Sequence, residues 1–396
     1  MKFKTTKLYF ALFFLATMQL ANATDLIVRD GGAGGAFATI SDAINAATDG
    51  DRIIIRPKVG DTPYIEDLTI DKSLTLLSEI SGDKYEILGT ITINNDVNRT
   101  VSIHNASTTG DIVSNGTISG GRMFINIINS ESDESLLLSE DNVTVNVVRT
   151  TCNRINFRHG KVVANNCSKI LMTDDVGDSL ATDDVYIIAN RVSAQAAGFT
   201  DSPALIINSL NYTFHVLNNS LVNGIGHSTV INGVKDGTTN FISNNFIKPV
   251  GSNFRGLRIA TEAIATIVIR NNLFDPVGSD EIEVINNAIF VIAQYNMTRS
   301  TTFDITNADV NENNVSGATY DVTTFTGDNE NAGHPDAIFT DIDLTRNDMG
   351  PKGGSYNWDN YRTADDTKPH VFFLQTPRRI FNGTTSFEAN GSAKSN

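Results

Sequence analysis

The sequence predicts an all-β chain that winds into a parallel β-solenoid of about 11 coils. The first observation is a repeat. Between residues 161 and 299, a short run of β-branched and apolar residues ends six times in asparagine. The asparagines, aligned at a period of about 24–29 residues, are Asn166, Asn190, Asn219, Asn245, Asn272 and Asn296. A segment this short cannot bury its own apolar face, and a period of about 20–50 residues indicates stacked copies.

The repeated segment favours a strand, which is the second observation. Its valines and isoleucines are stiff at χ1 and favour extended backbone, and no apolar stripe with a helical period fills the gaps. Asparagine suits the bend after each strand, because it tolerates left-handed backbone and its amide can bond the amide of the next coil. Such a column resembles the asparagine ladder of right-handed parallel β-helices, the pectate-lyase-like superfamily. The resemblance covers most of the chain and implies the right-handed parallel β-helix fold.

The segment that precedes Thr24 predicts a secretory signal peptide. Three lysines precede an apolar run, and the segment Ala21–Ala23 matches an A-x-A cleavage site. We therefore expect a mature chain that begins at Thr24 and is exported to the cell surface or the extracellular space, with the periplasm as the alternative. No later apolar run approaches the length that a membrane-spanning helix needs, so we expect no membrane span.

Residues 24–330 are predicted to form the β-helix, with a helical cap over about residues 39–48 at its N-terminal end. Apolar residues at positions 40, 43, 44 and 47 fall on one face of a helix. The pattern F-x-T-I-x-x-A-I-x-A-A-x-x-G-D-x-I-x-I from Phe37, followed by Tyr64, Glu66 and Lys72, resembles the N-terminal cap of many secreted β-helix proteins. The helix would plug the open end of the stack, where strand edges and core are otherwise exposed.

Residues 331–396 are predicted to form a β-rich C-terminal cap. Two segments, HVFFLQTP and TTSFEANGSAK, look like closing strands. The phrase D-x-D-x-T-R-N-D-M-G-x-x-G-G, which begins at Asp341, resembles a segment near the C-terminal end of surface β-helix proteins from Bacteroidetes-type bacteria.

The two cysteines lie in similar local sequences, VVRTTCNRI around Cys152 and VVANNCSKI around Cys167. The matching flanks predict stacked positions on neighbouring coils, where strands lie about 4.8 Å apart. Export permits a disulfide at that separation. Two buried thiols are the alternative.

The chain is acidic, with a net charge of −15 at pH 7. Nucleic acid and anionic lipid are therefore poor partners. Divalent cations, and polymers that they bridge, are better ones. The alternative reason for the acidity is that it keeps an exported protein soluble.

Calcium is the one cofactor that the sequence indicates. Asp341, Asp343, Asn347 and Asp348 place oxygen ligands close together along the chain, as in a calcium loop. The spacing lacks the glycine and the glutamate of an EF-hand, so the predicted site is a looser one. An Asx-rich turn that bonds its own backbone is the alternative.

A second candidate site is aromatic. Tyr356, Trp358 and Tyr361 cluster in the C-terminal region, and Trp358 is the only tryptophan of the chain. Aromatic rings offer apolar faces to sugar rings, so these residues are candidates for polysaccharide binding. Packing of the cap against the last coil is the alternative.

Four short phrases resemble, in order, the catalytic motifs of polygalacturonases, which are inverting glycosidases of this fold. They are ATDDV at 181–185, TDSPALIINS at 200–209, GIGHST at 224–229 and GLRIA at 256–260. The resemblance implies that Asp183 and Asp201 are the catalytic carboxylates and that His227 assists them. It also implies that Arg258 holds a carboxylate of the substrate.

The chain departs from those motifs where Ser202, Ser228 and Ala260 replace an aspartate, a glycine and a lysine. The leading hypothesis is therefore a non-catalytic exported protein that binds polysaccharide or a surface protein partner, or that serves as an adhesin-like rod. The alternative is an enzyme that degrades polysaccharides, either an inverting hydrolase or a calcium-dependent lyase. In an inverting hydrolase the two carboxyl groups must lie about 6.5–9.5 Å apart.

Overall fold

The chain forms a right-handed parallel β-helix of about 11 turns, which confirms the predicted fold class. The computed structural model describes residues 23–60, 62–80, 82–173, 184–194, 202–224, 226–251, 253–276, 280–361, 370–375 and 390–394. Within these ranges no helix combines the length and the apolar character that a membrane crossing requires.

One side of the β-helix is a 13-stranded parallel sheet, which we call sheet A. Its strands follow each other in chain order, because each coil adds one strand beside the previous one. They are Asp25–Val28, Arg52–Ile55, Leu74–Ser78, Thr100–His104, Met123–Ile128, Val143–Val148, His159–Val163, Val185–Ile188, Phe214–Leu217, Thr239–Ser243, Thr266–Arg270, Phe290–Gln294 and Val310–Glu312.

The other two sides belong to a 20-stranded sheet, sheet B. Its first side follows the asparagine bend and contains Tyr64–Ile65, Tyr85–Leu88, Ala106–Thr108, Glu131–Ser132, Arg191–Ala194, Ser220–Asn223, Phe246–Lys248, Leu273–Phe274 and Met297–Thr298. Its second side contains Leu68–Ile70, Ile91–Asn94, Ile112–Asn115, Ser135–Leu138, Leu205–Asn208, Thr229–Gly233, Leu257–Ile259, Ile282–Val284 and Ile305–Thr306. Two longer strands, Thr151–Phe157 and Asn166–Thr173, pair with strands of both sides.

A continuous core of buried aliphatic side chains runs from Leu26 in the first coil to Ala293 near the last. Alternate strand positions supply it: Val185 and Ile187 lie in the core, and Tyr186 between them faces outward. Each fully buried aliphatic side chain contributes about 1.5–3 kcal/mol relative to exposure. Because a single coil has no interior of its own, this stabilisation exists only in the stack.

The asparagine ladder is present, with one correction to the alignment. It begins at Asn165, because the neighbouring Asn166 is an exposed residue of the next strand. Each ladder amide except the last donates a hydrogen bond of 2.9–3.0 Å to the amide oxygen of the next coil. The ladder consists of Asn165, Asn190, Asn219, Asn245, Asn272, Asn296 and Asn314.

The residue before each ladder position takes the left-handed backbone conformation. At four coils this residue is also asparagine: Asn218, Asn244, Asn271 and Asn313 have φ of 56°, 58°, 57° and 56°. Two adjacent residues therefore form the bend and the ladder: the first takes the left-handed conformation, and the second bonds the amide of the next coil.

The predicted N-terminal cap is a helix, α1 (Ile40–Ala46), whose buried face covers the end of the core. Glu66 from the first coil accepts hydrogen bonds from the backbone N–H groups of Ile40 and Ser41 at 2.8 and 2.9 Å. At the other end, Lys72 donates to the carbonyl oxygen of Ile44 at 2.8 Å. A carboxylate at the N-terminus and an ammonium at the C-terminus satisfy groups that the helix itself leaves unpaired.

The C-terminal region contains a 3-10 turn (Ala337–Phe339), a short helix α2 (Trp358–Tyr361) and two antiparallel strands (His370–Gln375 and Asn390–Lys394). The two strands coincide with the predicted closing strands. Residues 329–361, which we call the arm, fold back along the outer face of sheet A and cover the side of the rod. The sequence did not predict this placement.

The arm is fixed by the asparagines that precede the ladder positions. Asn218 donates to the carbonyl oxygen of Pro351 at 2.9 Å, and Asn244 donates to that of Asp348 at 2.8 Å. Asn271 accepts a hydrogen bond of 2.8 Å from the backbone N–H of His334. The left-handed backbone turns these amides away from the ladder, which leaves them available to the arm.

Candidate functional site

A cleft of about 410 Å³ lies between the outer face of sheet A and the arm. Its volume falls in the range of small-molecule sites, about 300–1,000 Å³. Four successive strands of sheet A form its floor, from Val185–Ile188 to Thr266–Arg270, and the arm forms its wall. The cleft therefore exists only because the arm docks on the side of the rod.

Three stacked rings form the floor. Strand register places Tyr186, His215 and Phe241 beside one another on consecutive coils. Their ring centroids are separated by 4.8 and 5.2 Å, with interplanar angles of 9° and 8°. These separations are close to the spacing of neighbouring strands, so the stack follows directly from the parallel register. The rings cover each other's faces, and their edges form an apolar surface.

An acidic residue orients the central ring of this stack. The Nε2 atom of His215 lies 2.9 Å from a carboxylate oxygen of Asp184. The pair adds a polar group to an otherwise apolar floor, and it holds the imidazole in the plane that stacking requires.

A guanidinium group borders the floor. Arg270 is the last residue of its strand, and its Nη2 atom donates to the Oε1 atom of Gln294 at 2.8 Å. The guanidinium carbon lies 5.5 Å from the ring centroid of Phe339 in the arm. Burial lowers the pKa of Arg270, an effect that the charge of Asp336 opposes.

The three residues of the predicted aromatic cluster lie at the cleft and in packing contacts of the arm. Tyr356 lines the cleft, as a ligand-binding role requires. Tyr361 is 6% exposed and packs among Val163 and Ile188 on the outer face of sheet A. Trp358 lies with its ring centroid 6.1 Å from that of Phe325. The alternative, packing, is therefore the observed arrangement for Tyr361 and Trp358. Tyr361 packs against the side of the rod, whereas the prediction placed this contact at the last coil.

The predicted calcium ligands bond the arm's own backbone. Asp341 and Asp348 accept hydrogen bonds from backbone N–H groups, and Asp343 accepts from the backbone and side chain of Thr345. The oxygen of Asn347 accepts from the amide of Asn244 at 2.9 Å.

The three aspartates border a second pocket of about 380 Å³, and Asn347 lies at the first cleft. In the part of the chain that the structure describes, no group of three acidic, histidine or cysteine side chains is arranged to hold a metal ion. The bonding matches the alternative, an Asx-rich turn, and the calcium site stays a prediction.

The polygalacturonase-like residues lie away from the cleft, where they are described at all. Asp183 and Asp201 fall outside the described residues. His227 is buried, and its Nδ1 atom accepts the backbone N–H of Arg255 at 2.8 Å. Arg258, on the second side of sheet B, forms an ion pair of 3.3 Å with Glu283. The hydrolase interpretation therefore stays a prediction, with its substrate-binding arginine already paired within the chain.

The two cysteines occupy neighbouring coils, which confirms the predicted stacking. Strand register places Cys152 directly beside Cys167, and both side chains are buried. Burial raises the pKa of the Cys152 thiol to about 12. The disulfide stays a prediction.

The sequence interpretation missed the residues of the floor, although the sequence contains a signal for them. Tyr186, His215 and Phe241 each lie four positions before a ladder asparagine. Alignment on the ladder therefore places three aromatic rings in one outward-facing column. Because the same residues also fit a strand core by composition, only the alternation of core and surface positions would have distinguished them.

The cleft thus combines a stacked aromatic floor, an arginine and an aromatic wall from the arm. The chain matches no protein-family model, no curated protein and no solved structure with which it was compared.

Proposed function

We propose that this chain is an exported carbohydrate-binding protein that holds a saccharide in the cleft between sheet A and the arm. The observation that carries the proposal is the aromatic-lined cleft of about 410 Å³ on the side of an otherwise regular rod. Binding sites of this kind combine apolar surface with a few polar groups that fix orientation.

The composition of the cleft suits a sugar ring. The ring edges of the floor and the side chain of Leu217 present apolar surface to the C–H groups of a sugar. Ser243 of the floor and Ser355 of the arm also line the cleft, and their hydroxyl groups can bond sugar hydroxyls. Tyr356 can add an aromatic face from the arm.

We also propose that the chain is exported and that it belongs to the pectate-lyase-like superfamily. Export is supported by the signal-peptide pattern that precedes Thr24. Membership of the pectate-lyase-like superfamily is supported by the ladder of seven amides and by the helix that covers the N-terminal end of the core.

A retention assay tests the proposal. Protein that begins at Thr24 is passed over immobilised polygalacturonate, alginate and neutral glycans, and the eluates are analysed for new reducing ends and for unsaturated products. We expect retention on at least one glycan without product. Product formation would contradict a pure binding role, and absence of retention on every polymer would contradict the proposed ligand class.

Two variants locate the binding. Tyr356→Ala removes an aromatic ring from the cleft and should weaken retention. The matched control is Phe124→Ala, because Phe124 is 45% exposed on another strand of sheet A and is not part of the cleft. Equal effects of the two substitutions would contradict a site in the cleft.

A further inference from the structure

We infer that Asp51 binds the new N-terminus that removal of the signal peptide creates. A signal peptidase uses water to break the amide bond between Ala23 and Thr24, which leaves a carboxyl group on Ala23 and an amine on Thr24. At neutral pH the carboxyl group loses a proton and the amine takes one, and the resulting ammonium pairs with the carboxylate of Asp51. The inference rests on the proposed export and goes beyond the proposed saccharide binding, which does not involve this end of the rod.

The predicted cleavage point coincides with the start of the folded rod. The A-x-A pattern ends at Ala23, and the first strand of sheet A, Asp25–Val28, begins just after Thr24. Ala23 and Thr24 are exposed, whereas Leu26 already belongs to the core. The bond to be hydrolysed therefore lies just outside the rod, and the new N-terminus lies at its surface.

The nitrogen of Thr24 lies on the carboxylate of Asp51. Its N–H group donates to the Oδ1 atom at 2.7 Å. The Oδ2 atom accepts from the N–H group and the hydroxyl of Thr48, at 2.7 and 2.9 Å. Hydrogen bonds from Thr48, and then from Thr24, lower the pKa of Asp51, so its carboxyl is ionised at neutral pH. The atom that becomes an ammonium on cleavage is therefore already in contact with a negative charge.

The charged side chains near Asp51 have other partners. Arg52 forms two hydrogen bonds with Asp25, at 2.7 and 2.8 Å. Lys72 donates to backbone carbonyls at the end of α1, and Asp49 accepts a backbone N–H group of the next coil. Asp51 is 5% exposed, and no basic side chain in the described ranges forms an ion pair with it. The ammonium can therefore pair with this carboxylate without displacing another cation.

The ion pair connects processing to the stability of the first coil. Before cleavage Thr24 offers an uncharged N–H group to Asp51, and afterwards it offers an ammonium, which makes a stronger hydrogen bond. Pairing also raises the pKa of the Thr24 amine above the value of about 7.7–8.0 that an unpaired N-terminus has. The added stabilisation is complete below that value and is lost as the pH rises through the raised pKa.

Chemical labelling of the N-terminal amine tests the ion pair. The protein is produced from the full sequence in a bacterial host, and mass spectrometry identifies its first residue. A succinimidyl ester then labels the amine from about pH 6 to about pH 10, and the N-terminal peptide shows the extent of the reaction. Only the unprotonated amine reacts, so a pKa raised by about one unit slows labelling about tenfold at neutral pH. We expect the wild type to react about tenfold more slowly than Asp51→Asn at neutral pH.

The matched control is Asp49→Asn. Asp49 is exposed, and it accepts the N–H group of Ser73 at 2.6 Å instead of that of Thr24. This variant should react at the wild-type rate, and equal rates for the two aspartate variants would contradict a specific role of Asp51. Should Asp51→Asn fold poorly, a chain that begins at Ala23 serves instead, because it keeps the carboxylate and places its amine one residue away. That chain should react about tenfold faster than the chain from Thr24.

The failures of the two proposals are distinguishable. If the protein keeps residues 1–23 and stays inside the host, the proposed export and the inference are both wrong. If it is exported but begins at another residue, or if the chain from Thr24 reacts as fast as its comparison protein, the role of Asp51 is wrong and the proposed export survives. Saccharide retention is measured separately on the same protein, and neither result changes it.

Discussion

The side chain of Asn218 donates a hydrogen bond of 2.6 Å to the carbonyl oxygen of Gly353, although the two residues are 135 positions apart in the chain. Its neighbour, Asn219, donates instead to Asn245 in the ladder. Two adjacent asparagines thus serve two different structures, one that holds the coils together and one that holds the arm on the rod. The cleft depends on the second.

Removal of the Asn218 amide should loosen the arm. The substitution Asn218→Gly leaves a residue that tolerates the positive φ, so the backbone bend is preserved. It deletes the bonds to Pro351 and Gly353, which should destabilise docking of the arm by about 1–3 kcal/mol. The fluorescence of Trp358, the only tryptophan, reports the change because it lies in the arm.

The matched control for this variant is Asn98→Gly. Asn98 is exposed and also has a positive φ, of 60°, but it lies on a loop outside the arm and the cleft. The control should leave the fluorescence unchanged. Equal spectra for the two variants would show that the Asn218 amide does not hold the arm.

The ladder predicts a difference between two neighbouring asparagines. Asn165 donates to Asn190 and Val147, and it accepts from the buried N–H of Thr150. Asn165→Ala should therefore lower the free energy of unfolding by about 2–4 kcal/mol, because it leaves buried backbone groups unpaired. Asn166→Ala, at an exposed position, should lower it by less than about 0.5 kcal/mol. Chemical denaturation measures both, and a larger loss at position 166 would contradict the observed register.

The same pair of residues shows where the sequence is informative and where it is ambiguous. The period of the repeat and the strand character of its segments predict the coils, because both are local properties. The choice between Asn165 and Asn166 is not local. In the motif ANNCS either asparagine can take the ladder position, and only the count of residues around the coil decides between them. Here Ala164 takes the left-handed position, with φ of 57°.

The N-terminal cap was predictable and the arm was not, for the same reason. Glu66 and Lys72 lie close in sequence to the helix that they bind, and their spacing belongs to one continuous pattern. The arm meets sheet A through residues that are 63 to 135 positions apart, at amides that resemble every other bend asparagine. Nothing in the segment around Pro351 specifies which coils it contacts. The cleft, which forms at that contact, was therefore beyond inference from local patterns.

The buried cysteines should remain thiols in the native protein. Disulfide formation requires a thiolate, and in the folded protein burial raises the pKa of Cys152 to about 12, so thiols that are reduced when the chain folds stay protonated at neutral pH. We expect the folded protein to resist alkylation and the denatured protein to take up two labels, which mass spectrometry counts. Denatured protein that takes up no label before reduction would instead establish a disulfide between Cys152 and Cys167.

The carboxyl of Asp341 should weaken docking of the arm as the pH rises from about 4 to about 6. Burial raises the pKa of Asp341 to about 6, and the charge of Asp348 acts in the same direction. In the unfolded chain an aspartate has a pKa of about 4. The folded arm therefore holds a proton that the unfolded arm has already released, and this stabilisation is complete below about pH 4 and lost as the pH passes about 6.

Denaturant titration monitored by Trp358 fluorescence measures this dependence. We expect the Asp341 carboxyl to cost the docked arm about 1–2 kcal/mol between pH 4 and pH 6.5. Asp341→Asn cannot ionise, so it should remove this contribution, although it is less stable at low pH because an amide has one acceptor oxygen for the N–H groups of Gly354 and Asp348.

Asp343, whose pKa is lowered, acts below this window. Burial lowers the pKa of His334 in the arm, so His334 acts in the opposite direction, and its contribution is lost as the pH falls through the usual histidine range. The difference between the wild type and Asp341→Asn therefore isolates Asp341, and identical profiles of the two proteins would contradict the burial of its carboxyl.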